Sequence, residues 1–253
     1  MSTRSVEVEI TEDIESLSGK AAEFVVRCIV DHVRLEERVA VALSGGTTPQ
    51  GVYERLGSEN FRNRIPWSRV HLFWGDERCV PPDNPESNYL AAYKTLISRV
   101  PIPPENVHRI PGEKDPEKAA EDYERTLRDF FRSSSGEWPT FDLVLLGIGS
   151  DGHTASLFPG SLALQEKKRW VAASCIEKLK SYRLTLTLPV FNHARQVVFL
   201  AAGKEKAAVL KGMQTMGSKP ARFPFQLIRP EDGRMKFFLD KAAASLIGQK
   251  NGS

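Results

Sequence analysis

Short apolar runs that end in glycine-rich or charged loops constrain this fold more than any other feature of the sequence. The runs are residues 38–43, 70–74 and 141–146, and the loops that follow them are 44-SGGTTPQ-50, 75-GDER-78 and 147-GIGSDGHTASLFPG-160. Continuous apolar runs of this length are typical of strands covered on both faces, as in a parallel sheet between helices. We therefore predict an α/β fold, a doubly wound, mostly parallel and Rossmann-like sheet with helices on both faces.

Helical and strand patterns alternate along the rest of the chain. Apolar spacing predicts helices at 11–34, 88–99 and 116–132, from about residue 204, and near the C-terminus, with Pro49 opening another helix behind an N-cap at Thr48. Further strands are predicted at 170–173, 183–188, 197–201 and 235–240. Residues 133–139 are predicted to be a linker. Both sides of it look like parts of one sheet, so residues 1–253 are predicted to form a single domain.

The loop 44–50 has the chemistry of a phosphate site. Gly45 and Gly46 allow close approach of the backbone to a ligand, and the following helix offers free N–H groups and a positive dipole end. Ser44 and Thr47 add hydroxyl groups. The alternative is a tight turn capped by Thr48. A nucleotide P-loop is excluded because the G-K-[ST] ending is missing.

The loop 75–78 brings opposite charges to the end of the second strand. Arg78 is suited to bidentate binding of an oxyanion, and Asp76 is suited to orienting a neighbouring group or a substrate hydroxyl. The alternative is a pair of side chains that neutralise each other in solvent. Ligands bind at the carboxyl ends of strands in such sheets, so the three loops are expected to meet at one site.

The loop 147–160 matches the dinucleotide spacing G-x-G-x-x-G, but Pro159-Gly160 leaves no room for the long helix that a dinucleotide requires. His153 is the one histidine of five in a glycine-rich loop, and Asp151 lies two residues before it. A general base is therefore predicted at His153, the alternative being a structural histidine. A metal site is less favoured, because no H-x-x-H or Cys/His cluster accompanies this pair. The G-x-S-x-G elbow of serine hydrolases is also missing.

Bulk properties suit a chain that binds a small anion. The net charge of +3 comes from scattered basic residues, and no aromatic-basic stripe indicates nucleic-acid binding. The three cysteines lack C-x-x-C spacing, which favours a reducing compartment. The N-terminus lacks the apolar core of a signal peptide, and no apolar run reaches the roughly 20 residues of a membrane span. A cytoplasmic protein without membrane contacts is expected.

Taken in order, SGGTTP, GDER and GIGSDGHTASLFPG resemble the 6-phosphogluconolactonases, as does the later segment 182–207. The likeness covers about residues 10–245. It implies a glucosamine-6-phosphate deaminase-type fold and cofactor-free hydrolysis of 6-phospho-D-glucono-1,5-lactone to 6-phospho-D-gluconate in the oxidative pentose phosphate pathway. It also implies catalytic roles for His153, Arg78, Asp151 and Asp76, with either aspartate able to support the histidine.

The resemblance further implies that the lactone phosphate is held by Ser44, Gly45, Gly46 and Thr47 together with opposing cations. Arg183 and Lys206 are the expected cations, and Lys204 competes with Lys206 because it lies two residues away.

Two other functions stay open at this point. The related deaminases have Asp-Glu-Tyr in place of residues 76–78 and a glutamate in an F-N-E-P segment, where this chain has Ser156-Leu157-Phe158-Pro159. Phe158 cannot do the acid–base work of that glutamate, which argues against an amino-sugar-phosphate deaminase or isomerase. The second alternative is a sugar-phosphate-binding regulator without catalysis, which the intact acid–base set disfavours.

Overall fold

The chain is built around a seven-stranded sheet in which every neighbouring pair of strands is parallel. This computed structural model describes residues 6–132, 136–216 and 221–248. The strands of the sheet are β1 (Val6–Thr11), β2 (Val39–Leu43), β3 (Val70–Trp74), β5 (Val107–His108), β6 (Leu143–Gly147), β9 (Gln196–Ala201) and β10 (Arg234–Asp240). Their order across the sheet is β1-β10-β9-β6-β2-β3-β5.

The middle of this sheet is the core of the molecule. Every residue of β2 and β9 is buried, so both faces of these strands are covered. Because the strands are parallel, the ends of β2, β3, β6 and β9 meet at one edge. The α/β fold and its mostly parallel sheet are thus confirmed.

The α-helices of the described residues connect or flank these strands. They are α1 (Ile14–Val33), α2 (Thr47–Leu56), α3 (Glu59–Arg62), α4 (Asn88–Thr95), α5 (Pro116–Phe131), α6 (Leu188–Asn192), α7 (Ala207–Leu210) and α8 (Lys241–Ala244). Side chains of Asp13, Ser87 and Asp115 accept backbone N–H bonds at the starts of α1, α4 and α5. None of the helices in the described ranges is long and apolar enough to cross a membrane.

A second, antiparallel sheet lies beside the first and corrects two sequence predictions. It contains β4 (Asp76–Arg78), β8 (Ser181–Leu186) and β7 (Val171–Ile176), in that order. Residues 75–78 were predicted to be a loop, but Asp76–Arg78 pair with Arg183–Thr185. The predicted strands at 170–173 and 183–188 exist close to those positions, but they belong to this sheet and not to the parallel one. Three residues are too few for a strand pattern to be visible.

Other differences concern element ends. The predicted N-cap at Thr48 is wrong, because α2 begins at Thr47 and Gly46 is its cap, with φ +100°. The helix predicted at 88–99 ends at Thr95 and continues as a 3-10 turn, and the one from residue 204 opens with a 3-10 turn. Strands β1 and β5 were not predicted. Of the predicted linker, residues 133–135 lie outside the described residues.

Candidate active site

A cleft of about 290 Å³ opens at the edge where the parallel strands end. The glycine-rich loop after β2, the start of α2, strand β4, the loop after β6 and the turn after β9 all contribute to its wall. Predicted site residues on this wall are Ser44, Gly45, Gly46, Thr47, Asp76, Arg78, His153 and Lys206. The three loops therefore meet, as the parallel sheet predicted.

The loop after β2 is held rigidly below the cleft. The Tyr53 hydroxyl accepts a hydrogen bond from the Ser44 N–H and donates one to the Ser44 carbonyl, both at 2.8 Å. Gly45 lies so close to Asn88 that a Cβ at residue 45 would be 1.9 Å from its Oδ1. Gly46 then turns the chain into the ten-residue helix α2, whose positive N-terminal end faces the cleft.

His153 is paired with Asp151 within its own loop. The Nδ1 atom lies 2.5 Å from Asp151 Oδ1, and the two side chains are about one third exposed, at 31% and 32%. A carboxylate only accepts, so in the neutral imidazole Nδ1 carries the proton and Nε2 has the lone pair. Burial alone would raise the pKa of Asp151, but the hydrogen bond and charge of His153 hold it below its ordinary value.

A sharp turn, and not a helix, presents this histidine. The N–H of Gly149 donates to the His153 carbonyl at 2.8 Å, and Gly152 adopts φ +82°, which favours glycine. The Thr154 hydroxyl donates to the Gly147 carbonyl at 2.8 Å and ties the turn to the end of β6. Residues 154–158 contain no α-helix, which removes the structure that dinucleotide binding would need.

Asp76 is buried and does not contact His153 directly. Its Oδ2 accepts a hydrogen bond from Ser156 Oγ at 2.7 Å, and its Oδ1 lies 3.3 Å from Asn88 Nδ2. Burial raises the pKa of Asp76, against the lowering effect of Ser156 and of the charges on Arg78, His153 and Arg183. Of the two aspartates, Asp151 therefore makes the contact with the imidazole.

Arg78 lines the cleft, whereas Arg183 does not. Arg183 lies directly across from Arg78 in the β4–β8 pair, and its Nη1 donates to Ser181 Oγ at 2.6 Å. Burial and then the charge of Arg78 lower the pKa of Arg183. Arg78 donates to the Glu86 carbonyl, which fixes one end of its guanidinium.

Of the two competing lysines, Lys206 borders the cleft and Lys204 does not. Both belong to the 3-10 turn that follows β9. Glu205 also borders the cleft, and its carboxylate folds over Gly203, where a Cβ would be 2.4 Å from Oε2. The geometry therefore favours Lys206 as the cation that faces a bound anion.

Sequence reasoning missed the buried groups that join these loops. Glu77 is 2% exposed and accepts backbone N–H bonds from Arg78, Asn88 and Tyr89. Burial raises the pKa of Glu77, and these three donors oppose that effect. The sequence showed only that Glu77 is an acidic residue within GDER. Its burial becomes apparent only when residues 76–78 form strand β4. Within the described ranges, no group of three or more His, Cys, Asp or Glu side chains is placed to hold a metal.

Comparison with known proteins places the chain in a family. The model for glucosamine-6-phosphate isomerases/6-phosphogluconolactonase matches residues 12–237. A 6-phosphogluconolactonase from Nostoc sp. is 37% identical over 239 residues, covering 94% of this chain and 97% of the relative. One from Synechocystis sp. is 39% identical over 238 residues, covering 94% and 96%. The solved 6-phosphogluconolactonase of Trypanosoma brucei superposes with a TM-score of 0.85 at 32% identity, covering 96% of this chain and 99% of that one. This chain belongs to the glucosamine-6-phosphate isomerase/6-phosphogluconolactonase family.

Proposed function

We propose that this protein is a lactone hydrolase that converts 6-phospho-D-glucono-1,5-lactone to 6-phospho-D-gluconate, with His153 as the general base. The observation that carries the proposal is that His153, paired with Asp151, lines one wall of a cleft whose other wall is the positive N-terminal end of α2. The similarity to 6-phosphogluconolactonases over nearly the whole chain supports the same substrate and a place in carbohydrate metabolism, in the oxidative pentose phosphate pathway.

The phosphate of the lactone binds at the start of α2 in this proposal. Free backbone N–H groups of Gly45, Gly46 and Thr47 and the positive helix end suit a dianion. Lys206 adds a cation from the opposite wall. Ser44 Oγ lies 3.1 Å from the Gly45 carbonyl and 3.4 Å from the Gly147 N–H, so it contributes by shaping the loop as well as by binding.

The first chemical step is attack of water on the lactone carbonyl carbon. Nε2 of His153 takes the proton from this water because Nδ1 is already committed to Asp151. Asp151 holds the tautomer and stabilises the imidazolium that forms. Ser156 and Asn88 hold the carboxyl of Asp76 in the wall of the cleft, where it orients a substrate hydroxyl.

The carbonyl oxygen becomes an oxyanion in the tetrahedral intermediate, and Arg78 stabilises it. Collapse of the intermediate breaks the bond from C1 to the ring oxygen, and protonated His153 returns its proton to that oxygen. The products are the C5 hydroxyl and a C1 carboxylic acid, which releases its remaining proton to solvent and becomes the carboxylate. Arg183 lies across from Arg78 in the β4–β8 pair and adds positive charge to this side of the site.

The test follows lactone hydrolysis directly. Glucose-6-phosphate dehydrogenase supplies the lactone, and 6-phosphogluconate dehydrogenase reports its hydrolysis. We expect wild type to accelerate the reaction and His153→Ala to lose about 10²- to 10⁴-fold in kcat, the usual contribution of a general acid–base group. Binding of 6-phosphogluconate by His153→Ala, measured by calorimetry, checks that the cleft is intact. A folded variant with near-normal kcat contradicts the role of His153.

Ammonia release from glucosamine 6-phosphate tests the alternative within the family. Residue 158 is a phenylalanine and offers no carboxylate for ring opening, so we expect no release above background. Release at a rate comparable to lactone hydrolysis would contradict the assignment to the lactonase branch.

A further inference from the structure

The His153 imidazole touches two groups that transfer no proton in the proposed reaction. Phe158 stacks on the ring with 4.2 Å between centroids and 24° between planes. Gly149 approaches the Nδ1–Cε1 edge so closely that a Cβ there would lie 2.1 Å from each of these two atoms. We call Gly149 and Phe158 the imidazole clamp.

The imidazole clamp fixes the plane of the His153 ring, which the hydrogen bond to Asp151 alone cannot do. One hydrogen bond fixes the position of Nδ1 but leaves the ring plane free to swing about that contact. Stacking against a second ring fixes the plane, and so fixes the direction in which Nε2 points. A near-attack geometry depends on that direction, because about 1 Å of misplacement is enough to cost about 100-fold in rate.

Core packing does not account for the aromatic ring at residue 158. Phe158 is half-buried and belongs neither to the buried core nor to the side chains packed against it. The residue before it, Leu157, is fully buried and anchors the loop. Among the described residues, the imidazole of His153 is the one ring that Phe158 meets. The main aromatic contact of Phe158 is therefore the one with His153.

We propose that Phe158 is a positioning residue for His153, which holds the plane of the imidazole and stabilises the imidazolium through its π face. The proposal rests on the proposed role of His153 as general base. An aromatic face attracts a cation stacked on it, so the contact strengthens when His153 takes the proton from water.

The charged side chains that pair with His153 or lie near it in the same cleft wall are unchanged when Phe158 is replaced. They are Asp151 of the same loop, Asp76 and Arg78 of β4, and Glu205 and Lys206 of the turn after β9. A change in the titration of His153 in a Phe158 variant is therefore attributable to the stack.

The experiment compares Phe158→Leu with Phe158→Tyr, which keeps the ring. We expect Phe158→Leu to lower kcat by roughly 10- to 100-fold with KM changed less than about twofold, and Phe158→Tyr to stay near wild type. NMR of labelled histidine over a range of pH, with His153→Ala identifying the signal, compares how tightly the imidazole holds its second proton, and we expect this binding to weaken in Phe158→Leu alone. Phe158→Met, an apolar side chain without a π face, replaces the leucine variant if that one fails to fold.

The outcomes separate this inference from the proposed function. An active wild type with unchanged kcat and unchanged His153 titration in Phe158→Leu overturns the inference and leaves the lactonase assignment intact. A wild type without lactonase activity overturns the proposed function. In that case the NMR measurement decides the inference. Proton binding that is weakened in Phe158→Leu and retained in Phe158→Tyr supports it, and equal behaviour of all three proteins overturns it.

Discussion

The bond between Ser156 and Asp76 can be tested with two serines of the same loop. Ser156→Ala removes the hydroxyl that donates to Asp76 Oδ2 at 2.7 Å, in a site where Ser156 is 1% exposed. Ser161→Ala is the matched control, because the buried Oγ of Ser161 finds no hydrogen-bond partner among the residues that the structure describes. The two variants lose the same atom from the same loop, but only one of them loses a bond.

The expected magnitude follows from the charge of the partner. A hydrogen bond to an ionised group contributes about 1.5–3 kcal/mol, and its loss leaves Oδ2 of a buried carboxylate unpaired. We expect Ser156→Ala to lower the free energy of unfolding by about this amount and the Tm by several degrees, at about 2–4 °C per kcal/mol. Ser161→Ala should change the free energy of unfolding by less than about 0.5 kcal/mol, or raise it.

The pH dependence gives the prediction a second readout. Burial raises the pKa of Asp76 above its ordinary 3.8, and loss of Ser156 raises it further, because that bond favours the ionised form. The deficit of Ser156→Ala is therefore complete above the raised pKa of Asp76, where the carboxylate is charged. It shrinks as pH falls through this raised pKa, because the Asp76 carboxyl of the folded chain is then protonated with or without Ser156. Urea unfolding between pH 4 and pH 8 measures this, and equal stability of the two serine variants at pH 7 refutes the reasoning.

Three further predictions concern the cleft and the sheet edge. Lys206→Ala should raise KM for the lactone about 10-fold or more, because it removes one phosphate contact. Lys204 lies outside the cleft, so Lys204→Ala should change KM little. Equal effects of the two variants on KM would contradict the assignment of Lys206 to the phosphate site. Gly149→Ala should lower kcat about 100-fold, because the added Cβ must displace the His153 ring by more than 1 Å, and kcat near wild type would refute the contact. Burial lowers the pKa of His108 from 6.5 to about 4, so the free energy of unfolding decreases as pH falls from 6.5 to about 4. His108→Phe should reduce this decrease when Tm is measured against pH, and a pH dependence of Tm equal to that of wild type would contradict the prediction.

The sequence was sufficient for the central strands of the parallel sheet and for the loops that face the cleft. Continuous apolar runs such as 39–43 and 197–201 leave few alternatives to buried parallel strands, and parallel strands bring their carboxyl ends together. Strand β4 was not predictable in this way. Its three residues, Asp76–Arg78, are all charged, and they form a strand only because β8, more than 100 positions later, supplies the pairing partners.

Asp151 and Asp76 differ in the same way: the contact of Asp151 is local in the sequence, and that of Asp76 is not. Asp151 and His153 are two residues apart, so the turn made by Gly149 and Gly152 is enough to bring them together, and a local pattern can indicate it. Asp76 and Ser156 are separated by 80 positions, and nothing near either residue identifies the other as its partner. A local turn can be predicted from its own residues, whereas a polar contact between distant residues forms only when the sheets have assembled.

Phe158 shows what a motif comparison leaves out. In the comparison with the deaminase pattern, Phe158 only argued against deamination, because a phenylalanine cannot replace a glutamate in acid–base chemistry. In the folded chain the same side chain covers the face of the imidazole. In the proposed mechanism, Phe158 favours a single histidine base in two ways, because it offers no competing proton acceptor and its ring fixes the plane of the imidazole. The difference from the deaminase pattern expected at residue 158 therefore has two consequences in the proposed mechanism, and the missing carboxylate accounts for only one of them.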